Sequence, residues 1–118
     1  MNDLLTLKKN LEFQRVFKKG KWVGGDYLSI YFLPNKKKSN YIGIAVSKKV
    51  TKSSVKRNRI RRLIREAYRM NETMIMTGFD FVFVWKLTCP YEQAEFHKIK
   101  QDIMKAFRKM NIWIEKGE

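Results

Sequence analysis

KKVTKSSVKRNRIRRLIREAYR, residues 48–69, carries ten Lys or Arg and a single acid, Glu66. Apolar side chains still recur through it, at Val55, Ile60, Leu63, Ile64, Ala67 and Tyr68. At about 100° per residue, Ile60, Leu63, Ile64, Ala67 and Tyr68 fall within a sector of roughly 140°, the width of a core-facing stripe. The segment therefore reads as a helix, with Ser53 or Ser54 as its cap. It must bury one side while the remainder forms an almost purely cationic surface.

Arg57, Arg61 and Arg65 make one i, i+4 ridge beside the stripe, and Asn58, Arg62 and Arg69 make a second further round. Like charges at that spacing repel, so the array does not serve the helix itself. An ordinary solvated face mixes signs, and this one does not. Arginine outnumbers lysine along it, and the planar guanidinium grips phosphate bidentately and stacks on bases. Lys48, Lys49 and Lys52 lie in the loop that leads into the positive end of the helix dipole. Loop amides, helix N-terminus and lysines together suit a phosphate.

The whole chain agrees with that reading. Its 118 residues suffice for one α+β domain, 1–118, with one core. The net charge of +15 and pI near 10.1 would cost stability through self-repulsion, so a polyanionic partner is expected. Cys89 is the only cysteine, which excludes an intrachain disulfide and suits a reducing compartment. The N-terminus lacks a signal-like apolar core and no apolar run reaches membrane length, so a soluble, cytoplasmic protein is expected. Membrane-surface binding is disfavoured because the apolar side of the basic helix is needed by the core.

Elsewhere, Asn10 can cap a short helix, LEFQRVFKK, which Gly20 would close; Phe13, Val16 and Phe17 share one of its stripes. YLSIYFL (27–33) and YIGIAVS (41–47) alternate as strands and are expected to pair as a hairpin, with KWV (21–23) a possible short strand before them. In the first, Leu28, Ile30 and Phe32 oppose Tyr27, Ser29 and Tyr31. In the second, Ile42, Ile44 and Val46 oppose the small residues Gly43, Ala45 and Ser47. FDFVFVW (79–85) should be a central strand buried on both faces, closing a β-α-β crossover. A last helix starting near Pro90 would put Phe96, Ile99, Ile103, Ala106, Phe107 and Met110 on one stripe. The order is α-β-β-α-β-α with an optional extra strand, giving a mixed sheet of about four strands packed by helices.

Tyr27 and Tyr31 either pack across strands or offer an open face for stacking bases beside the arginine helix. Phe13 and Phe17 are either core or half-exposed at a cleft edge. Catalytic groups are not apparent: the acids are scattered, His97 is the lone histidine, and no Walker, dinucleotide or HExxH pattern occurs.

The run VKRNRIRRLIREAYR preceded by GIAVSKKV resembles the protein subunit of bacterial ribonuclease P. NLEFQRVFKKG, YLSIYFL and FVFVWK with the helix after it are similar to other parts of that family, so the resemblance spans the chain. It implies a left-handed β-α-β crossover, where general rules favour the right hand. It implies a partner RNA that carries the chemistry with Mg²⁺, and precursor tRNA as substrate, its 5′ leader removed. Carried over, Arg57, Asn58 and Arg59, continued by Arg61, Arg62, Arg65 and Arg69, would bind RNA. Phe13, Phe17, Tyr31, with Tyr27 and Trp113, would line the leader cleft. The rival readings are a ribosomal or assembly protein binding structured RNA, a DNA-binding regulator, and a protein-only nuclease, the last disfavoured by the missing acid cluster.

Overall fold

The strand FDFVFVW organises the molecule, whose computed structural model describes residues 4–114. The elements are α1 (Asn10–Lys19), β1 (Lys21–Gly24), β2 (Leu28–Pro34), β3 (Tyr41–Ala45), α2 (Ser54–Asn71), β4 (Phe79–Trp85) and α3 (Phe96–Lys109). One-turn 3-10 helices at Glu72–Met74 and Tyr91–Gln93 follow α2 and β4. The fold is α+β, with a four-stranded mixed sheet in the order β1-β2-β4-β3.

β4 is central because neither of its faces can be left in water. Phe81, Val82, Phe83 and Trp85 are all fully buried. It pairs antiparallel with β2 and parallel with β3, the latter across α2. The expected hairpin between the 27–33 and 41–47 strands does not form, since β4 inserts between them. β2 instead makes its hairpin with the short strand β1, Trp22 facing Tyr31 and Lys21 facing Phe32. The open edge of β3 is partly covered by residues 5–7: Leu7 N–H donates to Ile42 O at 2.8 Å, and Ile42 N–H to Leu5 O at 3.0 Å.

The two sheet faces bury different helices. Leu28, Ile30, Ile42, Phe81, Phe83 and Trp85 meet Ile60, Ile64, Ala67 and Tyr68 of α2 and Ile99, Ile103 and Phe107 of α3 in the main core. Tyr68 is ringed by Phe81, Phe83 and Phe107, and burial pushes its phenol well above its ordinary pKa. On the opposite face a smaller cluster joins Leu7, Val16 and Val82, with Phe13, Tyr31, Leu33 and Tyr41 packed against it. That face belongs to α1.

Caps fix the helix starts. Ser53 opens α2 by accepting the Lys56 N–H, as its sequence suggests. In α1 the cap is Lys9, not Asn10; Glu12 Oε1 accepts the Lys8 and Lys9 N–H groups and supplies what Asn10 was expected to give. Gly20 does close the helix, its N–H donating to Val16 O at 2.9 Å. α3 begins at Phe96 and not near Pro90: Pro90 precedes the 3-10 turn, and the Glu95 carboxylate, accepting the His97 and Lys98 N–H groups, sets the true start.

A buried acid on each face ties a helix to the sheet. Asp102 of α3 accepts the N–H groups of Asp26, Tyr27 and Leu28 at 2.7, 2.9 and 3.0 Å, pinning the β1–β2 connection. Asp80 of β4 receives Asn35 Nδ2 at 2.9 Å and lies 3.8 Å from Arg15 of α1. Neither is arranged as a reacting pair.

Candidate nucleic-acid interface

α1 is seated against the sheet so that its stripe divides. Val16 is buried, Phe13 is half-buried and Phe17 remains 40% exposed. Phe13 can come close to β3 because Gly43 has no side chain; a Cβ there would fall 2.5 Å from the ring's Cζ. Phe17 meets Tyr31 edge to face at 4.8 Å between centroids. Phe13, Phe17 and Tyr31 are thus brought together along one seam between α1 and the sheet.

The basic helix approaches the same seam from the other side of β3. Arg61 and Arg65, one turn apart on α2, line a cleft of about 230 Å³ together with Thr6, Leu7, Phe13, Ile42, Gly43 and Ile44. It is bordered by an aromatic ring and two guanidinium groups, and the rest of its lining is aliphatic apart from Thr6 and Gly43. That combination suits a flat base attached to a phosphate.

The other basic residues divide by what they touch. Arg62, Asn58, Lys48, Lys49 and Lys52 are exposed. Arg61 Nη1 donates to Asn58 Oδ1 at 2.7 Å, which aligns the guanidinium along the helix. Arg57 turns back to the preceding loop, donating to Thr51 O and Lys52 O at 3.0 Å each, and so shapes the segment that carries Lys48, Lys49 and Lys52. Arg59 lies on the far flank, its guanidinium 5.7 Å from the Tyr91 ring and 3.4 Å from Ala94 O. Arg69 lies 3.7 Å from Glu66. Among the described residues, no carboxylate comes within 4.0 Å of Arg57, Arg59, Arg61, Arg62 or Arg65.

Two aromatics assigned to the cleft lie elsewhere. Tyr27 stands before β2, where the Asp102 latch turns it against Trp85, with centroids 6.1 Å apart and planes at 24°. It therefore does not share the Tyr31 face. Trp113 bridges to Ile75 and packs on the main core, with the Arg108 guanidinium 4.9 Å from its ring. The small residue Gly43, by contrast, proves decisive for the cleft; its sequence signal was the run of small residues alternating with Ile42, Ile44 and Val46.

Among the described residues no helix is long and apolar enough to cross a membrane, and no group of three or more His, Cys, Asp or Glu side chains could hold a metal ion. Cys89 is buried, and burial raises its thiol pKa. Fold and surface together define a small basic protein with an arginine-faced helix beside an aromatic cleft, a combination suited to a single-stranded polyanion.

The profile of the Ribonuclease P family matches residues 1–111. The ribonuclease P protein component of Caldanaerobacter subterraneus is 39% identical over 117 residues, covering 98% of each chain. That of Clostridioides difficile is 42% identical over 109 residues, covering 92% of this chain and 93% of the other. The structure is similar to the Staphylococcus aureus RNase P protein, with a TM-score of 0.80 at 28% identity, covering 94% of this chain and 99% of that one. It is also similar to the Thermotoga maritima RNase P protein, with a TM-score of 0.78 at 26% identity, covering 88% and 96%. This chain belongs to the ribonuclease P protein family.

Proposed function

We propose that the 118 residues act as one RNA-binding domain, the protein component of a ribonuclease P holoenzyme in the cytoplasm, with two duties. The outer side of α2 and its leading loop, through Lys48, Lys49, Lys52, Asn58, Arg62 and Arg65, engage phosphates of the catalytic RNA. The seam of Phe13, Phe17 and Tyr31, flanked by Arg61 and Arg65, receives the single-stranded 5′ leader of precursor tRNA. The observation that carries this reading is that Arg61, Arg65, Phe13 and Gly43 line one cleft. Arg57 and Arg59 serve mainly to hold the loop and the helix flank in place, given their contacts to Thr51, Lys52 and Tyr91.

Bond cleavage is assigned to the RNA. Among the described residues Asp80, Asp102, Glu12 and Glu95 serve as latches and caps, and no group of three or more His, Cys, Asp or Glu could hold a metal ion. Mg²⁺ is therefore assigned to RNA phosphates, where it would supply charge neutralisation and an activated water. The protein contributes affinity and placement: arginines neutralise backbone charge, and aromatic faces fix leader bases by stacking.

The test is reconstitution. Purified protein with a catalytic RNA should cleave precursor tRNA at Mg²⁺ too low for the RNA alone, while protein alone leaves the substrate intact. If about six to ten phosphates are neutralised, affinity should drop roughly 10³- to 10⁵-fold between 50 and 200 mM salt. Cleavage by protein alone, or a flat salt dependence, overturns the reading.

A further inference from the structure

Trp22 lies on the same sheet face as the cleft yet has no part in the reading above. It faces Tyr31 across the β1–β2 ladder, with ring centroids 6.3 Å apart and planes tilted by 31°. Tyr31 in turn meets Phe17. The indole is nevertheless 61% exposed, so pairing with Tyr31 buries less than half of it. With Tyr31 and the partly exposed Phe17 it forms a contiguous aromatic patch, which marks a binding surface where a lone exposed ring would not.

Its surroundings are those of a binding surface. Gly24 follows on the same face of β1; a Cβ there would stand 3.1 Å from Trp22 Cζ3 and 3.9 Å from Lys86 Nζ. An indole and an ammonium group therefore flank one patch of bare backbone. Lys86 is held there by the end of β4, its N–H donating to Tyr27 O at 3.0 Å. No carboxylate among the described residues pairs with it. Lys18, Lys19 and Lys21, around the turn from α1 to β1, are exposed as well. A second copy of this chain, itself at +15, would bring its own Lys18, Lys19 and Lys21 against these, which disfavours self-pairing through β1.

We propose that Trp22, Gly24 and Lys86 form a further nucleotide subsite, continuous with Tyr31. One base of a single-stranded leader stacks on the indole, the backbone passes over Gly24, and Lys86 takes the neighbouring phosphate. This extends the proposed leader cleft across the sheet to its β1 edge and rests on that cleft holding the leader. It also gives the leader a polarity of contacts: arginines at the α2 end, lysine and an indole at the β1 end.

The test uses the reconstituted holoenzyme and precursor tRNAs whose leaders lengthen one nucleotide at a time. Trp22→Ala should weaken binding about tenfold. The loss should begin only when the leader is longer than the length at which Tyr31→Ala first has an effect. Trp22→Phe should restore most of the affinity, and mature tRNA should bind all variants alike. Lys86→Ala should lower the salt slope on long leaders by about 0.7. If Tyr31→Ala shows the leader-dependent loss but Trp22→Ala does not at any length, the subsite is refuted and the cleft stands. If neither variant shows it, both fall. A Trp22→Ala loss shared by mature tRNA, or a change from dimer to monomer in sedimentation, also refutes the subsite.

Discussion

The Phe13 ring covers Gly43, occupying the space that a side chain at that position would need: a Cβ would lie 2.5 Å from Cζ and 2.6 Å from Cε2. This contact sets how closely α1 approaches β3, and hence the width of the cleft that Arg61 and Arg65 border. Gly43→Ala should displace Phe13 and destabilise the protein by about 1–3 kcal/mol through overpacking. Thermal unfolding should show a fall of several degrees, and affinity for leader-bearing tRNA should fall with it. An unchanged melting temperature with unchanged leader affinity would show that the ring moves aside freely.

Arg61 and Arg57 lie one turn apart on the same ridge but should respond differently. Arg61 borders the cleft, whereas Arg57 donates to the Thr51 and Lys52 carbonyls. Arg61→Ala and Arg65→Ala should each reduce the salt slope of RNA binding by about 1 and leave unfolding unaltered. Arg57→Ala should lower stability by about 1 kcal/mol by freeing the loop. Paired salt titrations and denaturant melts on the three variants separate the two roles.

Much of this arrangement was legible in the chain because each signal was local. The α2 stripe and its Ser53 cap follow from helical spacing, and β4 follows from an apolar run with no polar side to expose. The strand partners did not follow, because alternation fixes which face a residue takes and not which strand lies beside it. β4, arriving late in the sequence, displaces β3 from β2 simply by being the most apolar strand. Tyr27 was misplaced for a related reason: its alternation continues that of β2, but Asp102, distant in sequence, turns the backbone there. The start of α3 was missed because Pro90 suits a first helical position, whereas Glu95 is not among the usual capping residues and declares itself only through the His97 and Lys98 N–H groups it accepts.

The pH response of α1 can be stated from one carboxylate. The Lys9 backbone N–H, and then that of Lys8, hold Glu12 below its ordinary pKa of 4.5. A lowered folded-state pKa means that the stabilisation is complete above the unfolded value and is lost as pH falls through the folded one. NMR titration of Glu12 should give a midpoint under 4.5, with faster amide exchange in the first turn of α1 at the acid end. Glu12→Gln should remove that pH dependence, and a midpoint above the ordinary value would contradict the cap.

Asp102 should matter more for folding than for binding. Its carboxylate satisfies the N–H groups of Asp26, Tyr27 and Leu28. Asp102→Ala strands these donors and should cost about 3 kcal/mol, read as a shift of the denaturant midpoint at constant slope. Any loss of RNA affinity should vanish when binding is measured well inside the folded range.

The central claim is that the seam of Phe17 and Tyr31 holds the leader while α2 holds RNA irrespective of it. The direct measurement is the dissociation constant of the reconstituted holoenzyme for precursor and for mature tRNA, with the unaltered chain, Phe17→Ala and Tyr31→Ala. Each variant should weaken precursor binding by about 1–3 kcal/mol and leave mature tRNA binding as it was. Equal losses for the two tRNAs, or none for either, would contradict the account.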